Sequence, residues 1–412
     1  MPSTSVFRPT IPDQPSRQRM PAPAWLRAWL ACVLLLMASV AVAAPRIGVM
    51  TMQPGEVFFE RFGHDAIIVQ DPQSGQATSY NFGAFDPSED DFIGNFVNGV
   101  MQYYLVALPL EQDLATYRDE GRGVKIQWLD LTPQQAQALA DSLAEQARPE
   151  NARYRYDYFT SNCSTKVRDA IDRALGGGLK SQLSGRSRGN TLRSEAVRLA
   201  SPATWMWLGF DIGLGPSTDV PLSRWDEAYV PMRLADSLGE SRNSAGQPLV
   251  SSEQVMLPHR IAPEPAEQSR SYKPWLLAGV LLAIALAVLG LRAPRLFAAL
   301  MLPIWLLLGV LGLVLAFLWG FTEHWAAYRN QNLLLFNPLC LLLLPGAIAL
   351  LRRRKPARWT VWTSYLVAAC ALVAWLPHWL AVSPQSNQIW VALLLPIQLA
   401  VAYVFKRIQA RN

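Results

Sequence analysis

Cysteine and histidine are scarce in this chain of 412 residues, which contains four of each. Only one cysteine, Cys163, lies between the N-terminal apolar run and the later ones. A single thiol cannot form a disulfide within that segment, and the two histidines of the segment lack the spacing of metal ligands. A phosphate-binding glycine loop is also missing. We therefore expect neither a metal site nor a cofactor.

Charged residues are few as well, at 17% of the chain, whereas 51% of the residues are hydrophobic. Five apolar stretches follow Lys273, and each is close to the ~20 residues that a helix needs to cross a bilayer. They cover residues 275–291, 296–318, 333–351, 359–382 and 389–405. We predict a transmembrane bundle of five helices over residues 274–412.

Residues 1–43 have the pattern of a secretory signal peptide, with arginines before an apolar run that ends in Ala41, Val42 and Ala43. An uncleaved signal anchor is the alternative. Basic residues fall in alternate connections between the apolar stretches and after the last one, which predicts a cytoplasmic C-terminus. The sequence thus predicts a membrane protein with an exported domain, 44–235, and a polar linker, 236–273. Since topology accounts for much of the positive charge, no nucleic-acid partner is expected.

Four β-branched and aromatic runs predict strands in the exported domain: RIGVMTM, HDAIIVQD, ATSYNFGAF and GVKIQWLDL. Residues 90–117 carry one apolar residue per helical turn and predict a helix. Thr132 followed by Pro133 predicts the start of a second helix. Cys163 then lies in the first turn of a third helix. The fold class predicted from these elements is α+β.

Cys163 has two interpretations. A lone cysteine is most often a small buried hydrophobe. In the first turn of a helix, however, free N–H groups and the helix dipole stabilise a thiolate. His64 begins a predicted strand, and a histidine facing such a cysteine is the layout of a thiol activated by a base. Asn81, on the next strand, is a candidate for fixing the imidazole, with a simple turn-forming residue as the alternative.

Three segments, RFGHDAIIV, SYNFGAFDP and YRYDYFTSNCSTKVRDAID, resemble the periplasmic domain of the Lnb-type bacterial lipoprotein N-acyltransferases. The five C-terminal helices resemble the membrane domain joined to it, which implies a bacterial inner-membrane protein with its exported domain in the periplasm. The resemblance implies a circularly permuted papain-like fold, akin to NlpC-type peptidases and the lecithin:retinol acyltransferase group.

The resemblance also implies roles. Cys163 would be the nucleophile, His64 the general base and acid, and Asn81 the orienting group. Asn162 would shape the oxyanion site together with the Cys163 N–H. The implied reaction takes a fatty acyl chain from a phospholipid donor, holds it as a thioester, and passes it to an amine such as the N-terminal cysteine of a lipoprotein.

Four further residues flank these motifs. Arg61, Arg122 and Asp157 are expected to bind phosphate or to brace the site. His324 lies in the loop TEHWAAYRNQN and is expected to contact a lipid headgroup or the acceptor, or else to anchor the loop at the membrane interface.

Other functions remain open at this point. A thiol of this kind also cuts peptide or amide bonds in cell walls, although a soluble peptidase would not require five membrane helices. The segment GRSRG, residues 185–189, matches the G-x-S-x-G pattern, but no predicted strand precedes Ser187. The non-enzymatic alternative is a membrane-anchored binding domain with a decayed site.

Overall fold

The computed structural model describes residues 23–25, 28–29, 43–267, 270–380 and 384–410. Nearly all of the predicted signal peptide lies outside these residues, so it stays a prediction. Residues Ala44–Asn412 form one compact unit.

An antiparallel sheet forms the centre of the exported domain. The described strands are β1 (Arg46–Met52), β2 (His64–Gln70), β3 (Ala77–Ala84), β4 (Gln102–Pro109), β5 (Val124–Leu129), β6 (Arg153–Arg155) and β7 (Val250–Leu257). Their order is β6-β4-β3-β2-β1-β5-β7, and each neighbouring pair is antiparallel. The four predicted strands are confirmed as β1, β2, β3 and β5.

Helices cover both faces of this sheet. They are α1 (Phe92–Asn98), α2 (Leu110–Glu120), α3 (Pro133–Gln146), α4 (Cys163–Ala174), α5 (Gly178–Leu183), α6 (Leu192–Ala200), α7 (Thr204–Gly213), α8 (Arg224–Glu227) and α9 (Pro231–Glu240). The Thr132 hydroxyl accepts a hydrogen bond from the Gln135 N–H at the start of α3, as predicted. The α+β class is therefore confirmed.

Strand β2 contributes buried side chains to both faces of the sheet. Ile67 is buried with Val167 of α4, whereas Ile68 is buried on the other face with Leu114 of α2. Side chains alternate along a strand, and a strand covered on both faces is apolar throughout. The chain therefore directs His64 and Asp65, at the start of β2, to opposite sides.

The prediction of one helix over 90–117 is wrong in its middle part. Helix α1 ends at Gly99, which has a φ of 76° and whose N–H caps the helix. Strand β4 follows and pairs with β3. The apolar residues there have the spacing of a helix, but the aromatic and β-branched composition also suits a strand. The segment forms a strand because it pairs with β3 in the sheet.

The segment expected to be a polar linker contains an edge strand. Strand β7 pairs with β5 and lies at the end of the sheet. Most of its side chains are exposed, which is why its sequence looks like a tether. The linker boundaries themselves stay a prediction.

Five apolar segments have the length of membrane spans, as predicted. They comprise α10 (Lys273–Arg292), α11 (Pro294–Phe321), the segment Gln331–Leu351 ending in α12 (Leu344–Leu351), the segment Arg358–Leu380 with α13 (Arg358–Val373) and α14 (Leu376–Leu380), and α15 (Gln388–Ala410). The third span departs from one regular α-helix. It begins as 3₁₀ turns, one of which starts where the Asn337 carboxamide accepts from the Leu339 N–H.

Buried polar contacts join the membrane helices to the exported domain. Asp211 of α7 is fully buried and accepts two hydrogen bonds from the Arg270 guanidinium and one of 2.7 Å from Trp390 Nε1. A buried carboxylate is stable only when it is paired in this way. The two domains are thus held in one arrangement at this point.

Candidate active site

Asn162 fixes the start of the helix that carries the thiol. Its Oδ1 accepts from the Thr165 N–H at 2.9 Å, and its amide group donates to the Tyr158 and Tyr229 carbonyls at 3.0 and 2.9 Å. Since both N–H groups of the carboxamide are used, no donor is left for an oxyanion. These contacts make Asn162 a helix cap and do not support the expected oxyanion role of its side chain.

The Cys163 sulfur lies where backbone N–H groups converge. The N–H groups of Asp65, Ser164 and Cys163 itself point toward it. Burial, with a smaller contribution from the Asp65 carboxylate, nevertheless raises the pKa of the thiol to about 12. The resting group is therefore a neutral thiol, and it needs a base before it can attack.

His64 is held by a relay of side chains. This relay lies on the side of β2 opposite to Asp65. Its Nε2 lies 3.1 Å from Asn81 Oδ1, and Asn81 Nδ2 donates to Asp113 Oδ2 at 2.8 Å. A carboxylate only accepts, so the amide N–H must face Asp113 and the amide oxygen must face the imidazole. Nε2 therefore carries the proton, which leaves the lone pair on Nδ1.

Asp113 was not expected from the sequence. It lies in the first turn of α2, is 5% exposed, and also accepts from the Ser79 hydroxyl at 2.6 Å. An acidic residue in a first helical turn ordinarily serves the helix dipole, so its type and position give no signal. Only the pairing of β3 with β4, which positions α2 beside Asn81, shows its role.

Gly83 marks the place where the thiol and the imidazole come together. It has a φ of +111° and lies at an irregularity in the pairing of β3 with β4. A Cβ at this position would be 3.9 Å from Cys163 Cβ and 3.9 Å from His64 Cε1. The missing side chain therefore leaves one small space that both groups border.

A third group borders the same space. The Tyr154 hydroxyl of β6 lies 4.0 Å from that Cβ position, and it is buried without a hydrogen-bond partner among the described residues. Burial, and secondarily the proximity of Cys163, raises the pKa of this phenol, so the O–H stays a donor. A buried O–H without a partner costs free energy unless something else accepts from it.

Besides burial, the charge of Arg122 lowers the pKa of His64. It is 4% exposed, its Nε donates to the Gln53 carbonyl at 2.8 Å, and it pairs with Glu120 at 3.2 Å. Burial, followed by the positive charge of Arg122, lowers the pKa of His64 to about 4. The imidazole is therefore neutral at neutral pH and able to accept a proton.

Comparison with known families separates the chain into two parts. The Lnb N-terminal periplasmic domain matches residues 37–199, and the Lnb transmembrane domain matches residues 266–410. The chain belongs to the Lnb family. No curated protein and no solved structure matches it. The resemblance noted in the sequence is thus confirmed, and Lnb membership suggests a membrane-associated enzyme.

The loop 322–332 belongs to the membrane domain and contacts the periplasmic domain. Trp325 Nε1 donates to Asp157 Oδ2 at 2.7 Å, and the other oxygen of this carboxylate accepts from the Phe159 and Thr160 N–H groups. Asp157 thus braces the segment just before Cys163. His324 Nε2 lies 3.1 Å from the Phe96 carbonyl of α1, so this side chain docks the loop on the periplasmic domain.

Arg61 is another residue that the sequence singled out. It is half-buried, lies three residues before His64, and its Nε has no hydrogen-bond partner among the described residues.

Ser187 lies in a loop between α5 and α6, where its hydroxyl donates to the Leu222 carbonyl. This is no strand-to-helix nucleophile turn, so the geometry gives the serine-hydrolase alternative no support.

Proposed function

We propose that this Lnb-family chain is a cysteine-dependent acyltransferase that moves a fatty acyl chain from a phospholipid to an amine, such as the N-terminal cysteine of a lipoprotein. The observation that carries the proposal is the space beside Gly83, bordered by Cys163, by the relay-held His64 and by the Tyr154 hydroxyl. An acyl ester carbonyl fits the chemistry of these three groups.

In the first half of the reaction, His64 Nδ1 takes the proton of the Cys163 thiol while the sulfur attacks the ester carbonyl of the phospholipid. The negative charge on the carbonyl oxygen is stabilised by the Cys163 N–H and the Tyr154 hydroxyl. The bond to the glycerol oxygen then breaks, and that oxygen leaves with the proton from the imidazolium. The products are a lysophospholipid and an acyl thioester on Cys163.

In the second half, the amine attacks the thioester and His64 accepts the proton that the amine loses. The carbon–sulfur bond breaks, the sulfur recovers a proton from the imidazolium, and the amide product leaves. Because both His64 and Cys163 rest in neutral form, this cycle uses general-base catalysis and no resting thiolate. A neutral thiol also resists oxidation outside the cytoplasm.

The location fits a lipid substrate. The proposed arrangement is an inner-membrane protein with the thiol domain in the periplasm and the C-terminus in the cytoplasm. Arg61, which comes three residues before His64 and whose Nε has no hydrogen-bond partner among the described residues, is the residue proposed to contact the phosphate of the donor. The permuted papain-like arrangement belongs to the same proposal, with Cys163 at a helix start and His64 and Asn81 on neighbouring strands.

A cell-wall peptidase is the second candidate, because the same thiol and imidazole would cut an amide bond. The docking of loop 322–332 on the segment before Cys163 favours the transferase, since it ties the thiol to the membrane domain. Nothing in a peptidase mechanism requires that connection.

Mass spectrometry distinguishes the acyltransferase from the cell-wall peptidase. The full chain is incubated with phospholipid vesicles and its mass is measured with and without neutral hydroxylamine. We expect a gain of one acyl chain, located on Cys163, released by hydroxylamine and missing from Cys163→Ala. A chain that never gains this mass but releases fragments from cell-wall peptides would be a hydrolase.

A further inference from the structure

An exposed apolar surface lies beside the candidate active site. It is formed by the 3₁₀ helix Phe58–Glu60, the end of β3 and helix α1, and we call it the aromatic face. Its members and their exposed fractions are Phe58 (49%), Phe59 (53%), Phe85 (36%), Ile93 (76%), Phe96 (41%) and Val97 (42%). Exposed apolar side chains that cluster in this way mark surfaces that meet a partner or a membrane.

Aromatic contacts lead from this face toward the thiol. The rings of Phe59 and Phe85 are 6.1 Å apart, and Phe85 is stacked on Phe92 of α1 at 5.7 Å. Phe85 is only two residues from Gly83, where the Cys163 and His64 side chains converge. An extended hydrocarbon chain lying on the face would therefore have one end close to the thiol.

The membrane domain shows where this face lies relative to the bilayer. The Glu323 N–H donates to the Asn98 carbonyl at 2.7 Å, and His324 contacts the Phe96 carbonyl. Glu323 and His324 come two and three residues after Phe321, which is the last residue of the span α11 and is 77% exposed. Helix α1 is thus attached to the membrane end of a span, and its exposed residues lie at the level of the bilayer surface.

The charged residues around the aromatic face indicate whether it contacts the headgroups or the acyl chains of a lipid. Asp86, Asp90 and Asp91 are exposed next to it, and the neighbouring Glu89 is paired with Arg153. Acidic groups repel anionic headgroups, so electrostatic attraction does not bring this surface to a membrane. Burial of apolar area in the acyl region does, at roughly 25 cal/mol per Å².

We propose that the aromatic face inserts into the periplasmic leaflet and holds the acyl chains of a membrane phospholipid beside Cys163. Insertion of the face does not depend on the proposed reaction. The delivery of an acyl chain to the thiol rests on that proposed function.

Photo-cross-linking in the intact protein tests the insertion. Phe59, or in a second protein Phe96, is replaced by p-benzoylphenylalanine, and the full chain is illuminated in nanodiscs of zwitterionic phosphatidylcholine. We expect a mass gain of one phospholipid at both positions, unchanged in high salt. The control places the same residue at Gln73, which is exposed in the turn at the far end of β2, and should remain unmodified.

A cross-link at 59 or 96 to a second protein chain, or no lipid adduct at either position, would overturn the proposal. A second measurement uses the double variant Phe58→Ser, Phe59→Ser. Its acylation by membrane phospholipid should fall at least tenfold, while alkylation of Cys163 by iodoacetamide stays within twofold of the wild-type rate. Lipid cross-links without any acylation of Cys163 would keep the insertion and reject the proposed function.

Discussion

The imidazole of His64 donates from Nε2 to the Asn81 side-chain oxygen across 3.1 Å. The direction of this bond is set by Asp113, which takes the amide N–H of Asn81 and cannot donate in return. The relay thus chooses the tautomer of the base, and it leaves Nδ1 as the atom that can accept a proton from the thiol. His64 has this tautomer before any substrate binds.

Removing the end of the relay should weaken catalysis without removing any group that touches substrate. In Asp113→Ala the Asn81 amide loses its anchor and is free to turn its N–H toward the imidazole. We expect kcat to fall on the order of 100-fold, as for a misplaced catalytic group. Asp113→Asn keeps an acceptor oxygen and should recover part of this loss. Equal rates for the two variants would contradict the relay.

The pH dependence should show a base with an unusually low pKa. His64 must be neutral to act, and its pKa is lowered to about 4 by burial and then by Arg122. The acid limb of kcat/KM should therefore lie near pH 4 and not near the ordinary value of 6.5. Arg122→Gln removes a positive charge that opposes the imidazolium, so the pKa of His64 rises and the limb moves to higher pH.

Arg122→Lys is the matched control for this shift, because it keeps the charge. Its acid limb should stay close to that of the wild type. A limb near pH 6.5 in the wild-type chain would show that burial and Arg122 do not lower the pKa of His64. A limb that Arg122→Gln leaves in place would show that the charge of Arg122 does not act on the group that titrates there.

The sequence was sufficient for the parts of the fold that local chemistry decides. Strand β2 and the capped start of α3 follow from composition and from Thr132, and the five spans follow from their apolar lengths. The approach of His64, Asn81 and Cys163 was also expected, although their catalytic roles stay predictions. A helix start and two strand positions were enough to suggest it.

The missed features all depend on tertiary pairing. Asp113 joins the relay because β4 continues directly into α2, and Tyr154 reaches Gly83 because the short strand β6 pairs with β4. Spacing alone predicted a helix over 90–117, because the spacing of apolar residues does not show that part of this segment pairs with β3. The docking of His324 on α1 likewise joins positions more than two hundred residues apart.

The Tyr154 hydroxyl should matter to the reaction and not to the fold. In the resting protein it has no partner among the described residues, so Tyr154→Phe removes no hydrogen bond. We expect the thermal midpoint to stay the same or rise slightly. The rate of thioester formation should fall by about 10²-fold, as when one oxyanion donor is removed. Tyr80→Phe, also on the sheet but on β3, is the control and should keep its rate.

Asp65 should limit both the stability of the fold and the reactivity of the thiol. Burial raises the pKa of this carboxyl to about 7. The folded state therefore prefers the protonated form, and stability falls as the pH rises from about 4 through 7. Asp65→Asn keeps an oxygen for the Thr51 hydroxyl, which donates at 2.8 Å, and carries no charge. Its thermal midpoint should exceed that of the wild type at pH 8 but not at pH 4.

The same variant should make Cys163 more reactive. The Asp65 carboxylate is the second cause, after burial, of the raised thiol pKa. Each unit by which that pKa falls increases the thiolate fraction about tenfold. Iodoacetamide should therefore alkylate Cys163 faster at pH 8 in Asp65→Asn than in the wild type. Equal rates would mean that the carboxylate does not influence the sulfur.

Gly83→Ala tests whether the space between thiol and imidazole is where the acyl carbonyl binds. The new methyl group would sit 3.9 Å from both Cys163 Cβ and His64 Cε1, which fills the space without a clash. A side chain at a φ of +111° also strains the backbone, by more than about 1 kcal/mol. Gly75→Ala also places a side chain at a positive φ, +72°, but with nothing within 4 Å, and so is the control for replacing a positive-φ glycine outside the site. We expect Gly75→Ala to keep acyl transfer and Gly83→Ala to lose it, whereas small reagents still alkylate Cys163 in both. If Gly83→Ala transfers acyl chains as fast as Gly75→Ala, the carbonyl must bind elsewhere, and the shared space cannot be the reaction centre.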